Sequence, residues 1–254
     1  MLRGVLLDID GVLYVGDRPL PGADAALARL RASGLPVRFV TNTTRRSRRA
    51  IRERLAAMGF AVADDELFTP AAAARARLEA ERRAPYLLIH PGLAEDFAGL
   101  PADGDDAVVV GDAGEGFSYD ALNRAFRLVM AGAPLLALAA NRYFQEANGL
   151  SLDAGPFVAA LEYATGATAE VLGKPARGFF AAAVAGLGCR PGEVAMVGDD
   201  VEADVNGGIA AGLVGILVET GKYRAGDAAR LDPAGIAVAD AAAAVDWMLR
   251  HAAT

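Results

Sequence analysis

Two carboxylates close the first apolar stretch of the chain. Residues 5–13 read VLLDIDGVL, in which Asp8 and Asp10 stand two positions apart and Gly11 follows. A short run of β-branched and leucine residues without polar alternation is typical of a strand buried on both faces, as in a parallel sheet. Residues i and i+2 of a strand point the same way, so we expect both carboxylates to face one site at the carboxyl end of that strand.

Three interpretations of this stretch compete. In the first, the acids only cap the turn after the strand. In the second they form a calcium loop, but an EF-hand needs its glycine at the sixth position and oxygen ligands on both sides, whereas Gly11 is fourth and Val12 and Leu13 follow it. In the third, one carboxylate attacks phosphorus beside a hard cation to form an acyl phosphate, and its neighbour moves protons.

Composition narrows the class of protein. The chain has 254 residues, of which 54% are hydrophobic, and its formal net charge is −7. These values favour a globular protein with a sizeable core and argue against nucleic-acid binding. No apolar stretch approaches the roughly 20 residues of a membrane span. Because a strand signal begins near the N-terminus, we expect no signal peptide. Cys189 is the single cysteine, so we expect neither disulfides nor a thiolate metal cluster, and a cytoplasmic location.

Strand and helix signals alternate along the chain. Residues 37–42 read as a second buried strand, and the arginine-rich residues 44–54 carry a helical apolar stripe that we interpret as a solvated helix. Thr69 followed by Pro70 is typical of a helix start, and this helix is predicted to run toward Ala80. The βαβα rhythm predicts an α/β protein with a doubly wound, Rossmann-like parallel sheet.

The pattern changes near Arg82, where two strand signals come close together and further helices and strands follow. This change indicates a second α/β unit inserted into the first domain. We therefore predict three segments, with an inserted α/β cap between the two parts of one core domain: core residues 1–81, cap residues 82–171 and core residues 172–254.

Polar residues also stand at the second strand end and in one later loop. Thr41 and Asn42 end the second buried strand, where a hydroxyl and an amide before a helix N-terminus suit a phosphate oxygen, although a simple turn explains them equally well. Lys174 lies in the loop sequence GKP. Its ammonium can neutralise a phosphoryl group and a carboxylate together. Without the other motifs, Lys174 would be interpreted as an ordinary surface lysine.

Residues 194–200, VAMVGDD, repeat the opening pattern of a buried strand that ends in carboxylates. Asp199 and Asp200 terminate it, and Asp204 follows in the first turn of the next predicted helix. Ordinary helix capping accounts well for Asp204 and poorly for Asp199. With the acids of the first strand, up to five carboxylates would gather at one sheet edge, and such crowding needs a divalent cation. Oxygen ligands favour Mg²⁺ over Zn²⁺.

In the order DxDG, TN, GKP and GDDxxxD, these motifs resemble the haloacid dehalogenase-like hydrolases, subfamily IIA, and the resemblance covers nearly the whole chain. It implies a large α/β cap between the second and third motifs, with Asp8 as the nucleophile and Asp10 as the general acid/base. It implies Mg²⁺ bound by Asp8, the backbone carbonyl of Asp10 and Asp199, with Asp200 and Asp204 behind them, and a phosphoryl group bound by Thr41, Asn42 and Lys174.

We therefore expect a Mg²⁺-dependent phosphatase that hydrolyses a small phosphorylated molecule, pyrophosphate or a phosphoramidate through an aspartyl-phosphate. A phosphotransferase or mutase stays open, because cap closure decides whether water or an acceptor reaches the acyl phosphate. A receiver-type signalling module also combines an acid pair, a phospho-accepting Asp, a Thr and a Lys, but it is much shorter and has no cap. Dehalogenation needs neither Asp10 nor a cation. Apolar strands in residues 82–171 predict a homodimer through the cap.

Overall fold

A computed structural model describes residues 1–101, 104–146 and 149–252. Its strands are numbered here in chain order. They are β1 Gly4–Asp8, β2 Tyr14–Val15, β3 Arg18–Pro19, β4 Val37–Val40, β5 Leu67–Phe68, β6 Pro85–Leu88, β7 Ala107–Val110, β8 Leu135–Ala137, β9 Tyr143–Glu146, β10 Gly149–Leu152, β11 Glu170–Val171, β12 Val194–Gly198, β13 Val214–Val218 and β14 Ile236–Val238.

The helices alternate with these strands, as the sequence predicts. They are α1 Ala23–Ala32, α2 Arg48–Ala57, α3 Pro70–Glu81, α4 Tyr119–Met130, α5 Ala154–Thr165, α6 Arg177–Ala185, α7 Gly207–Ala210 and α8 Ala241–His251. A wide helical turn, Val201–Asn206, precedes α7. None of the helices within the described ranges combines the length and the apolar character needed to cross a bilayer.

The chain divides into two compact units. The first contains Met1–Thr41, Arg52–Phe68 and Lys174–Thr254, and the second contains Asn42–Ile51 and Thr69–Gly173. Helix α3 therefore belongs to the second unit, whereas the sequence places it in the core domain. The domain boundaries at 82 and 171 stay a prediction. They mark where one domain is inserted into the sequence of another, whereas the compact units are defined by which residues pack together.

The first unit is built on a six-stranded sheet in the order β14-β13-β12-β1-β4-β5, and every neighbouring pair is parallel. This arrangement confirms the α/β class. The central strand β1 is buried along its whole length, which explains its lack of polar alternation. Because the chain adds β4 and β5 on one side of β1 and β12 to β14 on the other, the strand order reverses between β1 and β12.

The second unit has its own parallel sheet, in the order β11-β8-β7-β6. Apolar clusters cover both faces: Leu78 and Leu93 pack against one, Ala125 and Leu161 against the other. Strands β9 and β10 form a separate antiparallel hairpin. The sequence does not predict this hairpin, because its strands carry no continuous apolar run.

Two helix starts differ from the sequence expectation. Helix α2 begins at Arg48 rather than near Thr44, because the hydroxyl of Ser47 accepts a hydrogen bond from the Ala50 N–H at 3.3 Å and so caps it. Pro156 also reads as a helix start in the sequence, but helix α5 begins at Ala154, because the carboxylate of Asp153 accepts a hydrogen bond from the Ala154 N–H at 2.7 Å.

The N-cap of α3 yields a stability prediction. Thr69 Oγ1 accepts a hydrogen bond from the Ala72 N–H at 3.1 Å, and Pro70 occupies the first helical position. Thr69→Val keeps the shape of the side chain but removes the acceptor, so the free energy of unfolding should fall by about 1 kcal/mol. The melting temperature should fall by about 2–4 °C, as differential scanning calorimetry would measure. Thr69→Ser keeps the hydroxyl and should lose less; an equal loss in both variants would contradict the capping role.

Candidate active site

The candidate site lies where β1 and β12 end. Their parallel register pairs Leu7 with Val197, so Asp8, the last residue of β1, comes beside the end of β12, and Asp199 follows that strand directly. Ligands of open parallel sheets bind at the carboxyl edge where the strand order reverses. Strand register alone therefore brings the first and last predicted carboxylate motifs together.

Three carboxylates gather at this edge. Asp8, Asp199 and Asp204 each offer one oxygen, and these oxygens lie within 4.8 Å of one another. The three residues are only 5%, 1% and 1% exposed. Buried carboxylates repel one another and lose their hydration, so this cluster requires compensating positive charge.

One buried lysine supplies part of that charge. Lys174 is 4% exposed, and its Nζ forms ion pairs with Asp8 Oδ1 at 2.6 Å and with Asp204 Oδ1 at 2.5 Å. Burial would lower the pKa of Lys174, but the charges of Asp204 and Asp8 outweigh burial and raise that pKa. The lysine is therefore protonated at any physiological pH.

A deficit of positive charge remains around the other oxygens. Asp199 Oδ2 accepts a hydrogen bond from the Lys222 N–H at 2.6 Å, whereas Asp199 Oδ1 is buried without a hydrogen-bond partner among the described residues. Burial, followed by the charges of Asp8 and Asp204, raises the pKa of Asp199 to about 7. Burial and the charge of Asp8 likewise raise the pKa of Asp204 to about 6. An unpartnered buried oxygen among like charges suits a cation.

Two glycines allow the backbone to approach Asp199. Gly11 and Gly221 have positive φ angles of 85° and 62°, a conformation that favours glycine. A Cβ atom at either position would overlap Asp199 Oδ2. The Thr220 hydroxyl also donates a hydrogen bond to the Gly11 carbonyl at 2.5 Å, so the loop after β13 is held against the loop after β1.

Asp10 lies in the turn that follows β1, outside the buried cluster. The strand ends at Asp8, and Asp10 is exposed. The turn closes through a hydrogen bond from the Gly11 N–H to the Tyr14 carbonyl at 2.7 Å. The contribution of the Asp10 carbonyl to a metal site stays a prediction.

The remaining predicted residues are placed as follows. Thr41 is buried and directly follows β4 in the first unit, while Asn42 belongs to the second unit. Asp200 caps the helical turn Val201–Asn206, because its Oδ1 accepts hydrogen bonds from the N–H groups of Glu202 and Ala203. Asp200 therefore has a structural role, whereas its neighbour Asp204 belongs to the carboxylate cluster itself.

The motifs of the sequence do not assign the loop of residues 220–222 to the site. Its available signal was the rarity of lysine, since Lys174 and Lys222 stand among 25 basic residues that are otherwise arginine. Both lysines adjoin the carboxylates, Lys174 through its side chain and Lys222 through its backbone N–H. Lysine offers a compact point charge where arginine offers a planar fork.

Comparison with known proteins identifies the family. A model of haloacid dehalogenase-like hydrolases matches residues 5–101, and a HAD-hydrolase-like model matches residues 171–244. The haloacid dehalogenase-like hydrolase domain-containing protein 2 of Bos taurus is 47% identical over 251 residues, which cover 98% of this chain and 97% of that protein. The phospholysine phosphohistidine inorganic pyrophosphate phosphatase of Homo sapiens is 41% identical over 258 residues, covering 99% and 96%.

A solved structure agrees with these matches. The p-nitrophenyl phosphatase from Archaeoglobus fulgidus is 27% identical, covers 97% of this chain and 99% of its own, and has a TM-score of 0.90. The similarity thus extends over both compact units. The chain belongs to the haloacid dehalogenase-like hydrolases, subfamily IIA, and is an enzyme of that family.

Proposed function

We propose that this hydrolase is a Mg²⁺-dependent phosphatase that acts through an aspartyl-phosphate on Asp8. The observation that carries the proposal is the buried cluster of three carboxylates beside one lysine. The cluster lies at the carboxyl edge of the sheet where the strand order reverses. Two of the relatives described above are named as phosphatases. A small phosphorylated molecule is the substrate we propose, with pyrophosphate and phosphoramidates among the candidates.

The residues of the cluster fit a hard divalent cation. Every candidate donor is an oxygen, and Asp199 Oδ1 has no hydrogen-bond partner among the described residues. Mg²⁺ prefers oxygen ligands and keeps several of its waters. We propose Asp8, Asp199 and the backbone carbonyl of Asp10 as its protein ligands. When bound, the cation neutralises charge on the transferring phosphoryl group.

In the first step, a carboxylate oxygen of Asp8 attacks phosphorus. The bond from phosphorus to the leaving oxygen breaks, and that oxygen takes the proton of Asp10. Lys174 holds Asp8 through the 2.6 Å ion pair, so the nucleophile is oriented before substrate arrives. Such positioning and charge stabilisation account for most of the catalysis of phosphoryl transfer.

In the second step, water attacks phosphorus of the aspartyl-phosphate. Asp10 takes a proton from that water, the bond between phosphorus and the Asp8 oxygen breaks, and inorganic phosphate leaves with the Asp8 carboxylate restored. We propose that Thr41, Asn42 and Lys174 bind the phosphoryl oxygens. Lys174 then neutralises the nucleophile and the transferred group in turn.

The roles of the two acids can be separated with an activated aryl phosphate. Asp8→Asn removes the nucleophile, so turnover should fall by about 10³-fold or more and no covalent adduct should form. Asp10→Asn can still be phosphorylated when the leaving group is good, but it lacks the base for hydrolysis, so steady turnover should fall by about 10²–10⁴-fold. Intact-mass spectrometry should find a phosphoryl adduct on Asp10→Asn alone.

Asp200→Asn is the matched control for these variants, because it removes one charge from a neighbouring acid that caps a helical turn. It should retain activity within about tenfold, since asparagine keeps a side-chain oxygen that can cap the turn. An adduct on Asp8→Asn, or parent-like turnover by both catalytic variants, would reverse the assignment.

The carboxylate cluster also predicts how stability depends on pH and Mg²⁺. The raised pKa values of Asp199 and Asp204, about 7 and about 6, mean that the folded protein holds protons that the unfolded chain has released. In EDTA, this cluster therefore lowers the free energy of unfolding as pH rises from about 4 to about 7. The stabilisation by Mg²⁺ should be small at pH 5.5 and reach about 2.7 kcal/mol at pH 8 when Mg²⁺ is at 100 times its Kd.

Thermal unfolding of the parent and of Asp199→Asn tests this prediction. In EDTA, the variant should gain stability over the parent as pH rises, since asparagine carries no charge. It should also lose most of the Mg²⁺-dependent rise in melting temperature. A Mg²⁺ effect that is equal at both pH values, or equal in both proteins, would exclude this site for the cation.

We also propose a cytoplasmic homodimer that associates through residues 82–171. Several large apolar side chains in that range are more than half exposed, among them Tyr119, Tyr163 and Leu150, and exposed apolar surface is typical of protein interfaces. Light scattering at high protein concentration should give twice the chain mass, and Leu150→Asp should shift the mass toward the monomer. A monomeric mass for the parent would contradict the proposal.

A further inference from the structure

Lys222 has two separate relations to the carboxylate cluster. Its backbone N–H donates the 2.6 Å hydrogen bond to Asp199 Oδ2. Its side chain is exposed, and within the described part of the chain its ammonium forms no ion pair within 4.0 Å. The backbone thus fixes one end of Lys222 at the site, while the charged end stays available to a ligand.

The segment that carries Lys222 is firmly placed. The Thr220 hydroxyl donates a hydrogen bond to the Gly11 carbonyl. Gly221 packs so closely against Gly11 that a Cβ at Gly221 would overlap the Gly11 Cα. Gly11 in turn lies three residues beyond Asp8. The base of the Lys222 side chain therefore keeps a fixed position relative to the nucleophile, which limits the entropy lost when its ammonium binds a ligand.

The charges around Lys222 show what its ammonium faces. Partial loss of hydration beside the cluster would lower the pKa of Lys222, but the carboxylates of Asp8 and Asp199, with Asp204 and Asp200, outweigh that effect and raise it. All four acids are therefore close enough to act on the ammonium through space, although none of them is in contact with it. An ammonium that forms no ion pair with these acids can bind an anion that lies beside the nucleophile.

The balance of charge favours a phosphoryl group beside these acids. When all three are ionised, the buried carboxylates carry three negative charges against the one positive charge of Lys174. A divalent cation would balance that excess, and a phosphate dianion would then restore a negative charge of two at the same place. Charge-assisted hydrogen bonds from lysine to phosphate are among the stronger polar contacts in proteins.

We propose that Lys222 is a second substrate-binding lysine, whose exposed ammonium binds the phosphoryl group of the substrate as it approaches Asp8. This inference rests on the proposed phosphatase function and adds a residue to it. Lys174 is buried and binds from within the protein, whereas Lys222 binds from the solvent side of the same group. The pair would hold the phosphoryl oxygens of substrate and of product phosphate alike.

Binding of inorganic phosphate to the Mg²⁺-loaded protein tests the inference without turnover. Isothermal titration calorimetry should give a phosphate Kd about 10- to 100-fold weaker for Lys222→Gln than for the parent, the range expected for one lost charged hydrogen bond. With an aryl phosphate, KM should rise by a similar factor and kcat should change by less than about threefold, since the contact is made in ground state and transition state alike. Lys222→Arg should recover most of the affinity.

Arg224→Gln is the matched control, because Arg224 is an exposed basic residue two positions further along the same loop. It should bind phosphate within about twofold of the parent. The deficit of Lys222→Gln should persist in 0.5 M NaCl, where long-range attraction is screened. Equal weakening in both variants, or a deficit that vanishes in salt, would show a general surface-charge effect and overturn the proposal.

The Mg²⁺-dependent rise in melting temperature should be the same in Lys222→Gln and in the parent, since the backbone N–H that holds Asp199 is kept. Loss of that rise would mean that the side chain acts through the metal site, and would overturn the proposal. If the parent binds phosphate and hydrolyses esters and Lys222→Gln does both equally well, the role of Lys222 is refuted and the proposed function stands. A parent that binds no phosphate and hydrolyses no phosphate ester refutes the proposed function.

Discussion

The buried ion pairs of Lys174 are the interaction on which the rest of the site depends. Two carboxylates and one ammonium are each withdrawn from water, and a buried charge is tolerated only when its partners compensate it. Removing either partner of such a pair typically costs about 3–5 kcal/mol. The end of β1 and the turn that carries Asp204 are therefore constrained to meet around one ammonium.

The constraint also explains why the neighbouring backbone is so closely packed. Asp199 forms no ion pair with Lys174. One of its oxygens accepts a hydrogen bond from the Lys222 N–H, and the other has no partner among the described residues. That arrangement requires two loops to approach within van der Waals contact of a carboxylate. Glycine at positions 11 and 221 permits the approach, because a side chain at either position would occupy the space of Asp199 Oδ2.

The excess of negative charge in the carboxylate cluster affects both the stability of the fold and its affinity for a cation. A cluster whose pKa values are raised by burial and by mutual repulsion destabilises the fold at neutral pH, and a bound cation would offset that effect. The membership of the chain in the haloacid dehalogenase-like hydrolases rests on full-length similarity. It excludes the receiver-module alternative, whereas the choice between hydrolysis and transfer to an acceptor depends on the access of water to the proposed aspartyl-phosphate.

The sequence by itself determined the alternation of strands and helices, the capped start of α3 at Thr69, and the carboxylates at the ends of β1 and β12, because periodicity and capping are local properties. Only the tertiary structure decided that Asp204 joins Asp8 and Asp199 while Asp200 caps a turn, since both acids fit the same local helix-start pattern. It also decided that β1 stops before the exposed Asp10, and that residues 220–222 reach Asp199 from β13. Such meetings depend on strand register and on loop packing between distant segments, for which a single sequence carries no local pattern.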